Sequence, residues 1–235
     1  MKLFRSFRWL TVFAITMGMF EAAIVIYLRE LYYPEGFSFP LHPMPRDIAI
    51  TEVFRELASL LMLLSVAVIA GKSRARRVAN FLYLFAIWDI FYYVFLKLFI
   101  GWPDSLLTWD LLFLIPTHWT GPVITPILVS LTMIIIAFFL VYFDNQKNYV
   151  IMSGITWILF LGGAFVLFLS FIWDYSAYVL MHKTPQQIVS HLGDETLLDL
   201  AFQYVPGDFN WILFMGGELI VIAGLIYFYK KNKKV

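Results

Sequence analysis

The stretch Trp88-Asp89-Ile90-Phe91-Tyr92-Tyr93-Val94-Phe95-Leu96-Lys97 decides how this chain is read. It sits in an apolar run from Arg77 to Ile100, and about 20 such residues suffice to cross a bilayer as a helix. Asp89, Tyr93 and Lys97 follow one another at four-residue intervals, so on a helix they share one face. A charge in hydrocarbon is costly and turns toward protein, a partner or a water-filled cavity. The run is therefore a membrane span with one polar wall.

Five further runs have the same length and character. The six predicted spans are Phe7–Leu28, Ile48–Ala70, Arg77–Ile100, Gly121–Tyr142, Tyr149–Phe171 and Trp211–Tyr229. The whole chain agrees: 61% of its 235 residues are hydrophobic and 14% are charged, against roughly 25% charged in a soluble domain. The expected fold is all-α, a single polytopic domain over residues 1–235 with six transmembrane helices. The N-terminal Lys2, Arg5 and Arg8 before an apolar run resemble a signal peptide, but no small-residue cleavage site closes the run, so it reads as a retained first span. The absence of cysteine removes disulfides, thiolate metal sites and a cysteine nucleophile.

Lys and Arg sort by side. Lys2, Arg5, Arg8, Lys72, Arg74, Arg76, Arg77, Lys147, Lys230, Lys231, Lys233 and Lys234 fall on one face of the membrane; Arg29, Arg46 and Lys183 fall on the other. By the positive-inside rule both termini are cytoplasmic, and the expected location is a bacterial inner membrane. Most carboxylates between spans, and all four histidines (His42, His118, His182 and His191), lie on the outer side.

Two outer segments are unusual. Leu106–Ile115 is apolar, interrupted by Asp110, and too short to cross. It is expected to form a short interfacial or re-entrant helix before span four, ended by Pro116, Gly121 and Pro122. Residues 172–210 form the largest outer loop. Thr184-Pro185 and Asp194 mark the starts of two short helices there, and the loop is a docking surface for an extracytoplasmic partner. Within it Ile172–Val179 echoes Ile87–Val94, with Trp173-Asp174 matching Trp88-Asp89. Gly154, Gly162, Gly163, Gly216, Gly217 and Gly224 are expected to permit close approach of spans five and six.

The candidate binding site is the set of intramembrane polar residues: Glu21, Glu52, Arg55, Glu56, Asp89, Tyr93, Lys97 and Glu218. Counted along their helices, they gather in the middle-to-outer half of spans one, two, three and six. Glu52, Arg55 and Glu56 form one face. Asp89 and Lys97 are two turns apart and need partners elsewhere; Arg55 with Asp89, and Glu21 with Lys97, are the candidate pairs. The bland alternative for each is a structural ion pair between helices. The histidine spacings match no compact metal motif, and the sequence names no cofactor.

The leading functional reading is binding or transport of an ion or small polar solute, with proton coupling through the isolated carboxylates. Six short-looped spans are small for a monomeric transporter, which points to a homo-oligomer or to other membrane subunits. The second reading is an integral-membrane subunit of an electron-transfer or envelope complex. The third is an enzyme working at the outer leaflet, for which no catalytic spacing is present. Nothing points to nucleic acid.

Overall fold

The computed structural model describes residues 2–147, 150–184 and 200–233. Six long helices carry the fold: α1 (Lys2–Tyr32), α2 (Arg46–Ala70), α3 (Arg74–Ile100), α4 (Ile124–Lys147), α5 (Gly154–His182) and α6 (Trp211–Lys233). All six are long and apolar enough to cross a membrane, which makes the chain an integral membrane protein by length and composition. The expected helices beginning at Pro185 and Asp194, and His191, lie outside the described residues.

Contacts between helices fix their directions. Asn80 of α3 donates to the Ala67 carbonyl of α2 across the turn at 71–73, so α2 and α3 are antiparallel. Thr11 meets Tyr83, and Gly18 abuts Trp88, so α1 and α3 run parallel. Asp144 near the end of α4 receives hydrogen bonds from Ser73 and Arg76 at the start of α3. Asn232 at the end of α6 bonds Ile151 before α5. The loops 33–45 and 101–123 thus share one end of the bundle, termed here the hairpin end. Ser73 and Ser153 cap α3 and α5 by accepting the Arg76 and Thr156 N–H groups.

The segment before α4 corrects the expected short helix. It is a β-hairpin: β1 (Trp109–Phe113) pairs antiparallel with β2 (Trp119–Pro122), with a bulge between Leu111 and Phe113. Pro116, Gly121 and Pro122 interrupt any helical hydrogen-bond ladder. A hairpin satisfies the same backbone groups by cross-strand pairing, as an apolar setting demands. Its tip is driven into the bundle: Phe113 stacks on Phe85 and meets Trp88 of α3, while Trp119 packs on Phe168 and Phe171 of α5. Phe85 lies 15 positions before the end of α3, so the tip reaches about 20 Å below the hairpin end.

A second difference is the length of α5, which runs eleven residues past Phe171 to His182. The connection after α5 therefore starts at Lys183, and the echo of Trp88-Asp89 lies on a helix. The two copies have different surroundings. Trp88 is buried against Phe85, whereas Trp173 is exposed. Asp174 accepts from Tyr204 and Gly207 at the hairpin end.

Of the glycines expected at the α5–α6 contact, Gly163, Gly217 and Gly224 are there; Gly154, Gly162 and Gly216 face open space. A Cβ on Gly163 would lie 2.6 Å from Val221 and 3.0 Å from the Gly217 carbonyl. Gly163→Ala is expected to push the helices apart and cost about 1–3 kcal/mol, an overpacking penalty. Gly162→Ala is expected to be neutral. Thermal unfolding of the two variants in detergent checks the pair, and equal midpoints would refute the close contact.

Candidate functional site

The polar residues of α1 and α2 meet around one guanidinium. Arg55 donates from Nε to Glu52 Oε2 at 2.8 Å and from Nη1 to Glu21 Oε1. Ser59 donates to the other Glu21 oxygen at 3.4 Å. The fork of Arg55 is thereby spent on two carboxylates of different helices. Glu56, one residue on, faces the hairpin: both its oxygens accept the Leu114 N–H, at 2.9 and 3.0 Å. That N–H lies just beyond the last cross-strand pair and would otherwise be orphaned inside the bundle.

A second polar group sits closer to the hairpin end. Arg29, at the end of α1, donates to Asp110 Oδ1 of β1 at 3.3 Å, and Tyr93 of α3 donates to Asp110 Oδ2 at 3.1 Å. The Arg29 guanidinium lies 3.7 Å from the Trp102 ring centroid and 4.5 Å from that of Phe37. Its Nη1 is buried without a partner. Asp89, deeper on α3, accepts from Ser130 of α4 at 2.9 Å.

Three connected spaces link these groups. An open vestibule of about 830 Å³ is lined by Arg29, Tyr33, His42 and Trp102. It shares Arg29, Tyr33 and Phe37 with a cavity of about 160 Å³ that reaches Glu52, Arg55, Glu56, Asp110 and His118. This in turn shares Arg55, Glu56 and Tyr92 with a deep cavity of about 70 Å³, bounded by Glu21, Trp88, Asp89 and Tyr93. Below, Leu10, Ala14, Met17, Leu63, Ala67, Leu84 and Trp88 pack into an apolar plug. This plug lies between the polar space and the opposite end of the bundle.

Five carboxyls (Glu21, Glu52, Glu56, Asp89 and Asp110) face two guanidiniums (Arg29 and Arg55) in the two inner spaces. Glu56 and Asp89 have no ion-pair partner among the described residues. The deep cavity has room for a small cation with a few waters. Among the described residues no group of three metal-ligating side chains is gathered.

Measured against the sequence reading, Glu21, Glu52, Arg55, Glu56, Asp89 and Tyr93 come together. Lys97 and Glu218 do not. Lys97 is exposed and donates to the Gly101 and Pro103 carbonyls at 2.7 and 2.8 Å, closing the end of α3. Its flexible stem lets it turn away from the face it shares with Asp89 and Tyr93. Glu218 lies across the bundle, held by Thr132 of α4. The expected Arg55–Asp89 and Glu21–Lys97 pairs are replaced by Arg55–Glu21 and Arg55–Glu52. The sequence reading missed Arg29, Asp110, Tyr92 and Ser130. A carboxylate inside the apolar run 106–115 was the available signal for Asp110, by the same rule that singled out Asp89.

Two titrating groups on the hairpin segment oppose each other. Burial pushes the Asp110 carboxyl up to about 6, against the lowering pull of Arg29 and the Tyr93 hydroxyl. Burial drives His118, packed on Tyr175, down to about 4. Between pH 3.8 and 6 the folded hairpin holds a proton on Asp110 that the released chain does not. That contribution is full at low pH and lost as pH rises. Between pH 6.5 and 4 the released chain protonates His118 while the folded one does not, so that contribution is full at high pH and lost as pH falls. The two contributions have opposite signs. Relative to wild type, His118→Phe is expected to make stability fall more steeply with rising pH over this window, and Asp110→Asn to shift the slope in the positive direction. Unfolding midpoints in detergent across the window read the change in each slope against wild type; unchanged slopes would refute the burial of these groups.

Comparison with protein-family models, with curated proteins and with solved structures finds no match in any of the three.

Proposed function

We propose that this membrane protein binds a small cation or cationic polar solute from the hairpin side, with protons exchanged at Glu56 and Asp89. The observation that carries the reading is the excess of carboxyls over guanidiniums around neighbouring spaces that step down from the hairpin end. Buried carboxylates without a bonded cation are destabilised by desolvation, and a bound cation or a proton relieves that cost. Arg55 hydrogen-bonds Glu21 and Glu52, and neither Glu56 nor Asp89 has an ion pair of its own among the described residues.

The apolar plug separates the site from the opposite end of the bundle, so passage requires a rearrangement in which α1, α2 and α3 repack below Trp88. The re-entrant hairpin is suited to take part. It touches α2 through Glu56, α3 through Asp110 and Phe113, and α5 through Trp119. The distribution of Lys and Arg supports an orientation with the termini in the cytoplasm and the vestibule outside. In a bacterial inner membrane the vestibule would meet the extracytoplasmic space. The small size of the bundle supports assembly with further copies or other subunits.

The test uses full-length protein in liposomes with an internal pH dye. Sodium, potassium, magnesium, methylammonium and choline are added in turn from outside. At least one is expected to move protons in wild-type vesicles and to raise the unfolding temperature of the purified protein. No response to any of the five in either measurement would refute the reading.

A further inference from the structure

Glu218 is buried on the far side of the bundle from the polar cavity, at the edge of a different space. Thr132 donates to its Oε2 at 2.9 Å, and Oε1 is buried without a hydrogen-bond partner among the described residues. The residue is only 7% exposed. It lines a crevice of about 290 Å³ between α4 and α5, whose wall apart from Thr132 is aliphatic, aromatic or thioether. Ile136, Leu140 and Val221 form its buried floor; Val78, Trp157 and Leu161 are its exposed rim. Helices α4 and α5 hardly touch one another, so the crevice lies open along the lipid-facing side of the bundle.

An apolar crevice facing lipid is ordinarily filled by acyl chains. A carboxyl oxygen at its floor, buried and unsatisfied, is not explained by acyl chains, because they offer it no hydrogen bond and an unpaired buried polar group is destabilising. The occupant that removes this cost enters from the membrane, fits an apolar slot and presents a hydrogen-bonding group to Glu218. Trp157 and Phe160 supply aromatic wall, and the volume is about twice the ~150 Å³ that accommodates benzene in an engineered cavity. Carboxyl chemistry serves both redox forms of one ligand class. An ionised Glu218 accepts from a phenolic hydroxyl, and a protonated one donates to a quinone carbonyl.

We infer that the α4–α5 crevice is a binding site for a lipid-soluble hydroquinone, held by a hydrogen bond between its ring hydroxyl and Glu218. The site is separate from the carboxylate cavity and does not depend on what that cavity binds.

The experiment uses full-length protein in phosphatidylcholine nanodiscs under reducing conditions. Binding of a tritiated decyl-substituted para-benzoquinol is compared with that of its bis-methyl ether, which keeps the ring and tail but has no donor. Decanol, which keeps a hydroxyl and loses the ring, is the third probe. The quinol is expected to bind saturably and at least tenfold more tightly than either comparator. Glu218→Leu is expected to abolish the difference between quinol and ether while leaving ether binding in place, which also reports an intact fold. Ala164→Phe, on the exposed part of the wall, is expected to remove binding of all three by filling the slot. The inference is overturned if the quinol fails to saturate or either comparator binds equally well. It is also overturned if the preference survives Glu218→Leu or quinol binding survives Ala164→Phe.

Discussion

Arg55→Ala is expected to lower stability by about 3–5 kcal/mol, the usual cost of removing one partner from a buried ion pair. For a chain of this size that is a fall on the order of 10 °C in the unfolding midpoint. Arg55 is the only cation bonded to Glu21 and Glu52 among the described residues, and it ties α1 to α2. Without it, Glu21 keeps only the long Ser59 hydrogen bond, and two carboxylates face each other beside Glu56. Arg55→Lys keeps the charge but loses the two-point fork, so an intermediate midpoint is expected. A triple variant, Arg55→Met with Glu21→Gln and Glu52→Gln, removes the charges together. It is expected to recover much of the stability without recovering solute binding. Detergent unfolding of the four proteins checks the series. An Arg55→Ala midpoint equal to wild type would show that the network does not hold the helices.

Asp89→Asn should leave the fold in place and remove the function. The asparagine side-chain oxygen still accepts from Ser130, and the shape is unchanged, so the unfolding midpoint is expected within about 2 °C of wild type. What disappears is the ionisable group at the bottom of the polar space, on the closed side of the cavity. On the proposed function, cation-driven proton movement in liposomes falls at least tenfold. Ser130→Ala separates positioning from ionisation: it frees the carboxylate without removing it, and a partial loss is expected. Unimpaired proton movement by Asp89→Asn would remove Asp89 from the site.

Much of this architecture is legible in one dimension. Six apolar runs become six helices because an isolated backbone in lipid must satisfy its own hydrogen bonds. The segment 106–115 was legible as too short to cross, interfacial or re-entrant, but not as a strand. Its apolar pattern is too short to distinguish the two forms, and the partner strand lies beyond Pro116. The extension of α5 past Phe171 is not legible in the apolar pattern, because the run gives way to polar residues such as Asp174, which is bonded to Tyr204 and Gly207 at the helix's hairpin end.

The sequence by itself determined which residues carry charge into the bundle, and at what depth, because helical rise converts position into height. Glu21, Arg55 and Asp89 follow from that alone. Only the tertiary structure decided which of them face one another, since rotation about each helix axis is set by packing and not by depth. It turned Lys97 onto the Gly101 and Pro103 carbonyls and placed Glu218 behind α4. It brought Asp110 down between Arg29 and Tyr93. The stretch from Trp88 to Lys97 remains a wall of the site, but the opposite wall is a hairpin whose place no periodicity encodes.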